Sequence, residues 1–241
     1  MEHGRGAGAV LIRHVGETGS TNADLAALAR DGAAEGTWLR ADRQVAGRGR
    51  QGRAWASPGG NLYASTLVRP RASDPPAPTL TLVAAVALHE AVSVFLAGAS
   101  IKWPNDLLLG GAKLSGILLE GADDAVIAGV GVNLAHHPDL SDRPTTSLAA
   151  HGVDVAPEIL LDVLVDTFSG WLLTWRGQGL APVRAAWLDR AHAVGTALSV
   201  RQPDGSRLDG LFDGLHAGGA LLLRLGGGER RVIHAADVFL L

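Results

Sequence analysis

The residues best suited to chemistry lie in one run, Gly47-Arg48-Gly49-Arg50-Gln51-Gly52-Arg53, with Trp55 just beyond it. Glycines let a ligand approach the backbone closely, and successive amides can form a concavity for an anion. Guanidinium groups add forked donors that match phosphate or carboxylate oxygens. Trp55 offers a flat face to a ring. Together these suit a polyanion that carries a planar group, such as a nucleotide. A solvated basic loop and an RNA-binding Arg-Gly segment use the same residue types, so the run alone leaves three readings open.

A second set of candidates comes from an imbalance: nineteen arginines stand against two lysines, Lys102 and Lys113. Lysine is a compact point charge on a flexible stem and arginine a planar fork, so two surviving lysines suggest places where the fork does not fit. Lys102 opens Lys102-Trp103-Pro104-Asn105-Asp106, where the proline interrupts a strand pattern and puts Asn105 and Asp106 in a tight turn. Lys113 opens Lys113-Leu114-Ser115-Gly116-Ile117-Leu118. Strand alternation puts Lys113 and Ser115 on one face, with Gly116 leaving a hole nearby. An ammonium beside a hole fits a small ligand bearing a carboxylate; a surface lysine on an edge strand is the bland alternative. Gly129-Val130-Gly131-Val132-Asn133 lacks the third glycine and following helix of a dinucleotide fingerprint. By itself it marks close packing.

Around these residues the pattern alternates between strands and helices. Strands are expected at 9–15, 37–41, 62–68, 99–103, 106–109, 112–119 and 125–133, and helices at 23–30, 79–96, 157–175 and 182–192. Ser20 or Thr21 is a candidate helix cap. Residues 43–60, with five glycines and four arginines, read as a long loop. From about residue 196 short strands are punctuated by Asp204-Gly205, Gly218-Gly219 and Gly226-Gly227-Gly228, the mark of a small all-β module.

Composition removes several classes. With no cysteine there are no disulfides, thiolate metal sites or cysteine nucleophiles, as expected of a cytoplasmic protein. The formal charge of -3 argues against coating DNA or an anionic membrane. No apolar run reaches the roughly 18 residues of a membrane span, and Met1 to Gly8 is too polar for a signal peptide. The phosphate-loop and nucleophile-elbow motifs are missing, and the nine histidines show no metal-ligand spacing.

Taken in order, five stretches resemble the catalytic core of the biotin–protein ligase family: Ser20-Thr21-Asn22, GRGRQGRAW from Gly47, KWPNDLLL from Lys102, KLSGILLE from Lys113 and GVGVNL from Gly129. The resemblance implies an α+β fold: a mixed-sheet catalytic domain related to class II aminoacyl-tRNA synthetases, residues 1–192, and an SH3-like module, residues 193–241. It implies activation of biotin with ATP, in the presence of Mg2+, to biotinyl-5'-AMP. The biotinyl group then passes to a lysine of a biotin carboxyl carrier domain of an acyl-CoA carboxylase. Only about a dozen residues precede the first matching strand, too few for the DNA-binding repressor domain that many bacterial members carry, so a ligase without repressor role is expected. The family often pairs subunits, which makes a homodimer a further expectation.

The resemblance also assigns roles. Lys113, Arg48 and Asp106 are the catalytic candidates, with Lys113 on the biotin carboxylate and attacked phosphate and Asp106 orienting either Lys113 or Mg2+. Ser20, Thr21, Asn22, Gln44, Arg48, Gly49, Arg50, Lys113 and Gly116 would hold biotin. Arg48, Arg50, Arg53, Trp55, Lys102 and Asn133 would hold the nucleotide, and no protein metal site is expected. Gln51 departs from relatives that carry a further basic residue there. The nearest rivals are a lipoate–protein ligase using the same adenylate logic, a non-catalytic RNA- or nucleotide-binding module, and a biotin sensor acting through protein contacts alone.

Overall fold

The computed structural model describes residues 10–140 and 143–241. The polar stretch Met1 to Gly8, and Ala9 where the first strand is expected to begin, lie outside the described residues.

Seven strands form one mixed sheet: β1 (Ile12–Thr18), β2 (Trp38–Gln44), β3 (Leu62–Val68), β4 (Ala99–Lys102), β5 (Asp106–Leu109), β6 (Ala112–Ala122) and β7 (Ala125–Val132). Their spatial order is β1-β2-β3-β7-β6-β5-β4. Only β1 and β2 pair in parallel; helix α1 (Thr21–Arg30) lies between them in sequence and supplies the crossover that parallel neighbours require. From β4 to β7 the chain runs as an antiparallel meander. Its β5–β6 hairpin turns on Gly110 (φ 59°) and Gly111 (φ 81°), two left-handed residues as a tight primed turn demands.

Period-two alternation sorts the sheet's faces. On one face Leu62, Ala64 and Val68 of β3 and Ala128, Val130 and Val132 of β7 enter the main apolar core. That core is completed by α2 (Leu80–Ser93), α3 (Pro157–Gln178) and α4 (Leu180–Arg190). α2 is buried on most sides, which explains why its sequence is apolar apart from Thr81, His89, Glu90 and Ser93. On the other face, Leu67 of β3 and Ile127 of β7 join Leu25 and Ala29 of α1 in a smaller cluster. The rest of that face is left for the site.

Residues 197–240 form a second, antiparallel sheet of β8 (Ala197–Arg201), β9 (Arg207–Leu215), β10 (Leu221–Arg224), β11 (Arg230–Ile233) and β12 (Asp237–Leu240), ordered β11-β10-β9-β8-β12. Its inward residues, among them Leu198, Phe212, Leu223 and Val238, belong to the same apolar core as the main sheet. Trp103 reinforces the contact by donating its indole N–H to the Gly219 carbonyl at 3.1 Å. Most expected elements are present with shifted ends. The first strand lies three residues later than its pattern suggested, α2 is trimmed at both ends, and His192 falls beyond α4. Asp106 is the first residue of β5, paired with Lys102, so of the two expected turn residues Asn105 alone stays in the turn, beside Trp103 and Pro104. No helix among the described residues is long and apolar enough to cross a membrane.

Candidate active site

A cavity of about 670 Å³ opens on the face of the sheet opposite the main core. It gathers every candidate site residue: Ser20, Thr21, Asn22, Gln44, Arg48, Gly49, Arg50, Arg53, Trp55, Lys102, Asp106, Lys113, Gly116 and Asn133. Residues 113 positions apart in the chain thus meet in one place.

The floor is a sheet face cleared by glycines. Gly116 of β6 stands opposite Gly131 of β7, and Gly129 opposite Ser65 of β3. A Cβ on Gly131 would come within 2.7 Å of the Trp55 indole nitrogen, and one on Gly116 within 3.2 Å of the same ring. On Gly129 it would collide with the Asn22 amide. The weak motif in β7 is therefore a packing device for two residues of the site. Trp55 lies on this glycine floor, with the Lys113 ammonium 5.4 Å from its ring centroid.

One expectation about Lys113 is corrected. Lys113 and Ser115 do not share a face, because the β5–β6 register shifts: Leu107 faces Ser115, but Leu108 faces Lys113. Leu114 is the extra residue of a β-bulge, a feature that re-aims a side chain. Unbroken alternation back from Gly116 would send Lys113 into the apolar core. With the bulge, Leu114 and Ile117 enter that core and Lys113 turns to the cavity.

Lys113 meets a buried carboxylate there. Its Nζ lies 2.5 Å from Asp106 Oδ1, while Lys102 Nζ lies 2.9 Å from Asp106 Oδ2. Burial pushes the Asp106 pKa up, but the two ammonium charges and their hydrogen bonds outweigh it and bring the value down to about 2. Burial pulls the Lys113 pKa below its ordinary value, against the opposing pull of Asp106. Among the described residues no group of three His, Asp or Glu side chains gathers to hold a metal. Both Asp106 oxygens are engaged by lysines.

A polar chain crosses the far end of the floor. Gln44 Oε1 accepts from the Thr21 amide at 2.8 Å, and its Nε2 donates to Ser57 Oγ at 3.0 Å. Ser65 Oγ lies 2.7 Å from Thr21 Oγ1 and 2.6 Å from Asn22 Oδ1. Ser20, Thr21 and Asn22 are all buried at the start of α1, and Ser20 occupies the expected cap position without a side-chain cap bond. At the nucleotide candidates' end, Asn133 is buried and donates its amide to the Thr146 carbonyl at 3.0 Å.

The Gly-Arg run is a tight hairpin. The Gly49 amide donates to the Arg53 carbonyl at 2.7 Å and the Trp55 amide to the Gly47 carbonyl at 2.9 Å. Gly47 has no room for a side chain, since a Cβ would stand 2.5 Å from the Trp55 carbonyl oxygen. At the tip, Gln51 (φ 57°) and Gly52 (φ 72°) take the left-handed conformation, which costs a non-glycine residue roughly 1 kcal/mol. The C-terminal module holds this hairpin. Arg53 Nη2 pairs with Asp237 Oδ1 at 2.7 Å, and Arg50 donates to the Ala236 carbonyl at 3.2 Å. Lys102 reaches the Val238 carbonyl at 2.9 Å. Three cations of the site thus rest on three consecutive residues around the start of β12, and Phe239 also lines the cavity. Sequence patterning missed these residues because nothing in a short alternating strand distinguishes the one that touches a remote loop. Arg143 and Thr145 line the cavity as well and were also missed.

An arginine-bearing hairpin, a desolvated lysine and a glycine floor in one cavity suit a ligand with a carboxylate and a phosphate. Residues 20–134 match the Biotin/lipoate A/B protein ligase family. The biotin–[acetyl-CoA-carboxylase] ligase of Paracoccus denitrificans is 40% identical over 236 residues, covering 92% of this chain and 97% of the relative. The ligase of that name from Mycobacterium tuberculosis is 35% identical, covering 98% of this chain and 91% of the relative. The structure of the biotin protein ligase from Aquifex aeolicus in complex with biotin and ATP superposes with a TM-score of 0.85 at 25% identity, covering 96% of this chain and 99% of that one. By this agreement over nearly its whole length, the chain belongs to the biotin/lipoate A/B protein ligase family.

Proposed function

We propose that this chain is an ATP-dependent biotin–protein ligase: it forms biotinyl-5'-AMP and transfers the biotinyl group to a lysine of the biotin carboxyl carrier domain of an acyl-CoA carboxylase. The observation that carries the reading is the buried Lys113–Asp106–Lys102 cluster on the cavity floor beneath the arginine hairpin. The names of its relatives in Paracoccus denitrificans and Mycobacterium tuberculosis supply the substrate.

In the first step a biotin carboxylate oxygen bonds to the α-phosphorus of ATP, and the bond to pyrophosphate breaks. In the second, the carrier amine attacks the acyl carbon and AMP leaves with the anhydride oxygen. Neither step needs an enzyme nucleophile, so the residues act by position and charge. Lys113, held by Asp106, bridges the biotin carboxylate and the attacked phosphate. Arg48, Gly49 and Arg50 close over the acyl phosphate, with Arg53 and Lys102 on the outer phosphates. Ser20, Thr21, Asn22 and Gln44 hold the biotin rings above Gly116, and Trp55 and Asn133 flank the adenine. Mg2+ would enter with ATP and would supply charge neutralisation on its phosphates. A division near residue 192 into catalytic and SH3-like units is supported by the gap between α4, which ends at Arg190, and β8, which begins at Ala197.

The test is pyrophosphate release from ATP without carrier, with biotin and lipoate supplied separately. Biotin-dependent release is expected. Release with lipoate alone would move the chain to the other branch of its family, and no release with either would defeat the ligase reading.

A further inference from the structure

Glu120 closes the motif stretch that begins at Lys113, yet the chemistry above gives it no task. It lies on β6 two residues beyond Leu118 and four beyond Gly116, so it shares their face of the sheet. It stands opposite Ile127 and just outside the cavity wall. Its two carboxylate oxygens have different partners. Oε2 accepts from Asn22 Nδ2 at 2.7 Å, and Oε1 lies 3.2 Å from Arg48 Nη2.

Those partners belong to opposite sides of the cavity. Asn22 is buried in the floor, its amide boxed in by Ser65, the Leu118 carbonyl and the space left at Gly129. Arg48 sits on the hairpin with nearly half of its side chain exposed, and Glu120 is its one ion-pair partner among the described residues. The rest of the hairpin is tied through Arg50 and Arg53 to the C-terminal module, through Arg50 to Asn105, and through Ser57 to Gln44. Among the described residues Glu120 is therefore the direct side-chain link between Arg48 and Asn22 of the floor.

We infer that Glu120 is a positioning residue that sets Arg48 over the bound acid and couples occupation of the Asn22 end of the floor to the placement of that arginine. The inference rests on the ligase reading. A carboxylate shared between an amide and a guanidinium responds to both. When a ligand group takes up part of the Asn22 hydrogen-bonding capacity, the hold of Glu120 on Arg48 changes. Conversely, when the acid's carboxylate arrives, Arg48 is presented from a fixed anchor rather than from solvent. Glu120 touches neither substrate in this scheme and acts only through its two neighbours.

The test is a double-mutant cycle on biotin-dependent ATP–pyrophosphate exchange, with Glu120→Gln, Arg48→Gln and the pair. Gln keeps an oxygen for Asn22 and removes the charge that holds Arg48. With a partly exposed ion pair at stake, Glu120→Gln should raise the biotin KM by about three- to tenfold. The ATP KM and thermal midpoint should stay close to wild type, a split that a merely structural role would not give. In the Arg48→Gln background the same change should add less than about twofold, because the link is already cut. Unchanged kinetics in Glu120→Gln, or an equal effect in both backgrounds, would overturn the inference while the wild type's exchange upheld the ligase reading. A wild type that shows no biotin-dependent exchange would overturn both.

Discussion

The two walls of the cavity are built differently. On the sheet side, Asp106 is buried and the Lys113 side chain only 15% exposed, and three glycines bring Trp55 and Asn22 into close contact with backbone. On the hairpin side, Arg48 and Arg53 are 48% and 38% exposed, and each makes a single ion pair among the described residues. A buried charge without its partner is far more costly than an exposed one. On the proposed ligase reading the sheet wall fixes where the reacting atoms lie, while the hairpin wall can adjust to the ligand at little cost. Substitutions on the two sides should differ in size and in the kinetic constant they touch.

The largest effect is expected at Lys113. In Lys113→Arg the charge survives, but the planar fork must fit where a point charge sits 2.5 Å from Asp106 and beneath Trp55. Adenylation should fall by about a hundredfold or more, as when a buried pair is mismatched by a few kcal/mol. Single-turnover formation of biotinyl-AMP checks it, and near-normal turnover would show that the floor is less exacting than its packing indicates. Gly129→Ala strikes the same wall from below. Its methyl group would collide with the Asn22 amide, displacing it from the biotin end. A drop of about tenfold or more in biotin affinity, with the ATP KM unchanged, is expected by calorimetry and kinetics.

The same contrast explains what was legible in the sequence. The floor announced itself through scarce lysines and glycines in strands, because close packing restricts residue type. The hairpin announced itself through arginine and glycine density. The bulge at Leu114 was hidden: alternation alone assigns Lys113 the wrong face, and only the register with β5 reveals the extra residue. Asp237 was hidden for another reason, since its partner Arg53 lies far away in the chain and an acidic residue at a strand end is ordinary. Glu120 was in view, within the quoted motif and in phase with Gly116, but its partners could be named only in three dimensions.

Burial lowers the Lys113 pKa below its ordinary 10.5 and Asp106 opposes that fall. Adenylation that needs the ammonium should therefore decline on the alkaline side with a midpoint below 10.5, and in Asp106→Asn that limb should move to still lower pH. Asp106 itself has a native pKa of about 2, below its ordinary 3.8. The stability it contributes is full above that ordinary value and is lost as pH falls towards 2, so no acid limb near neutrality should arise from it. Rate–pH profiles of both proteins check the sign, and a limb that moves upward in Asp106→Asn would contradict the pairing.

The smallest effect is expected where the C-terminal module meets the hairpin. Asp237→Asn removes the charge opposite Arg53, but Arg50 still donates to the Ala236 carbonyl and Lys102 to that of Val238. With Arg53 substantially exposed, the loss should be about 1 kcal/mol or less, a few-fold rise in the ATP KM with biotin affinity unchanged. Hydrogen exchange should quicken at the Gly49 and Trp55 amides, which close the hairpin, and leave β6 and β7 as they were. If biotin affinity fell as far as ATP affinity, the module would be bracing the sheet wall too. The two sides of the cavity would then be coupled through the links that join the hairpin to the Thr21–Asn22 end, Ser57 through Gln44 to Thr21 and Arg48 through Glu120 to Asn22.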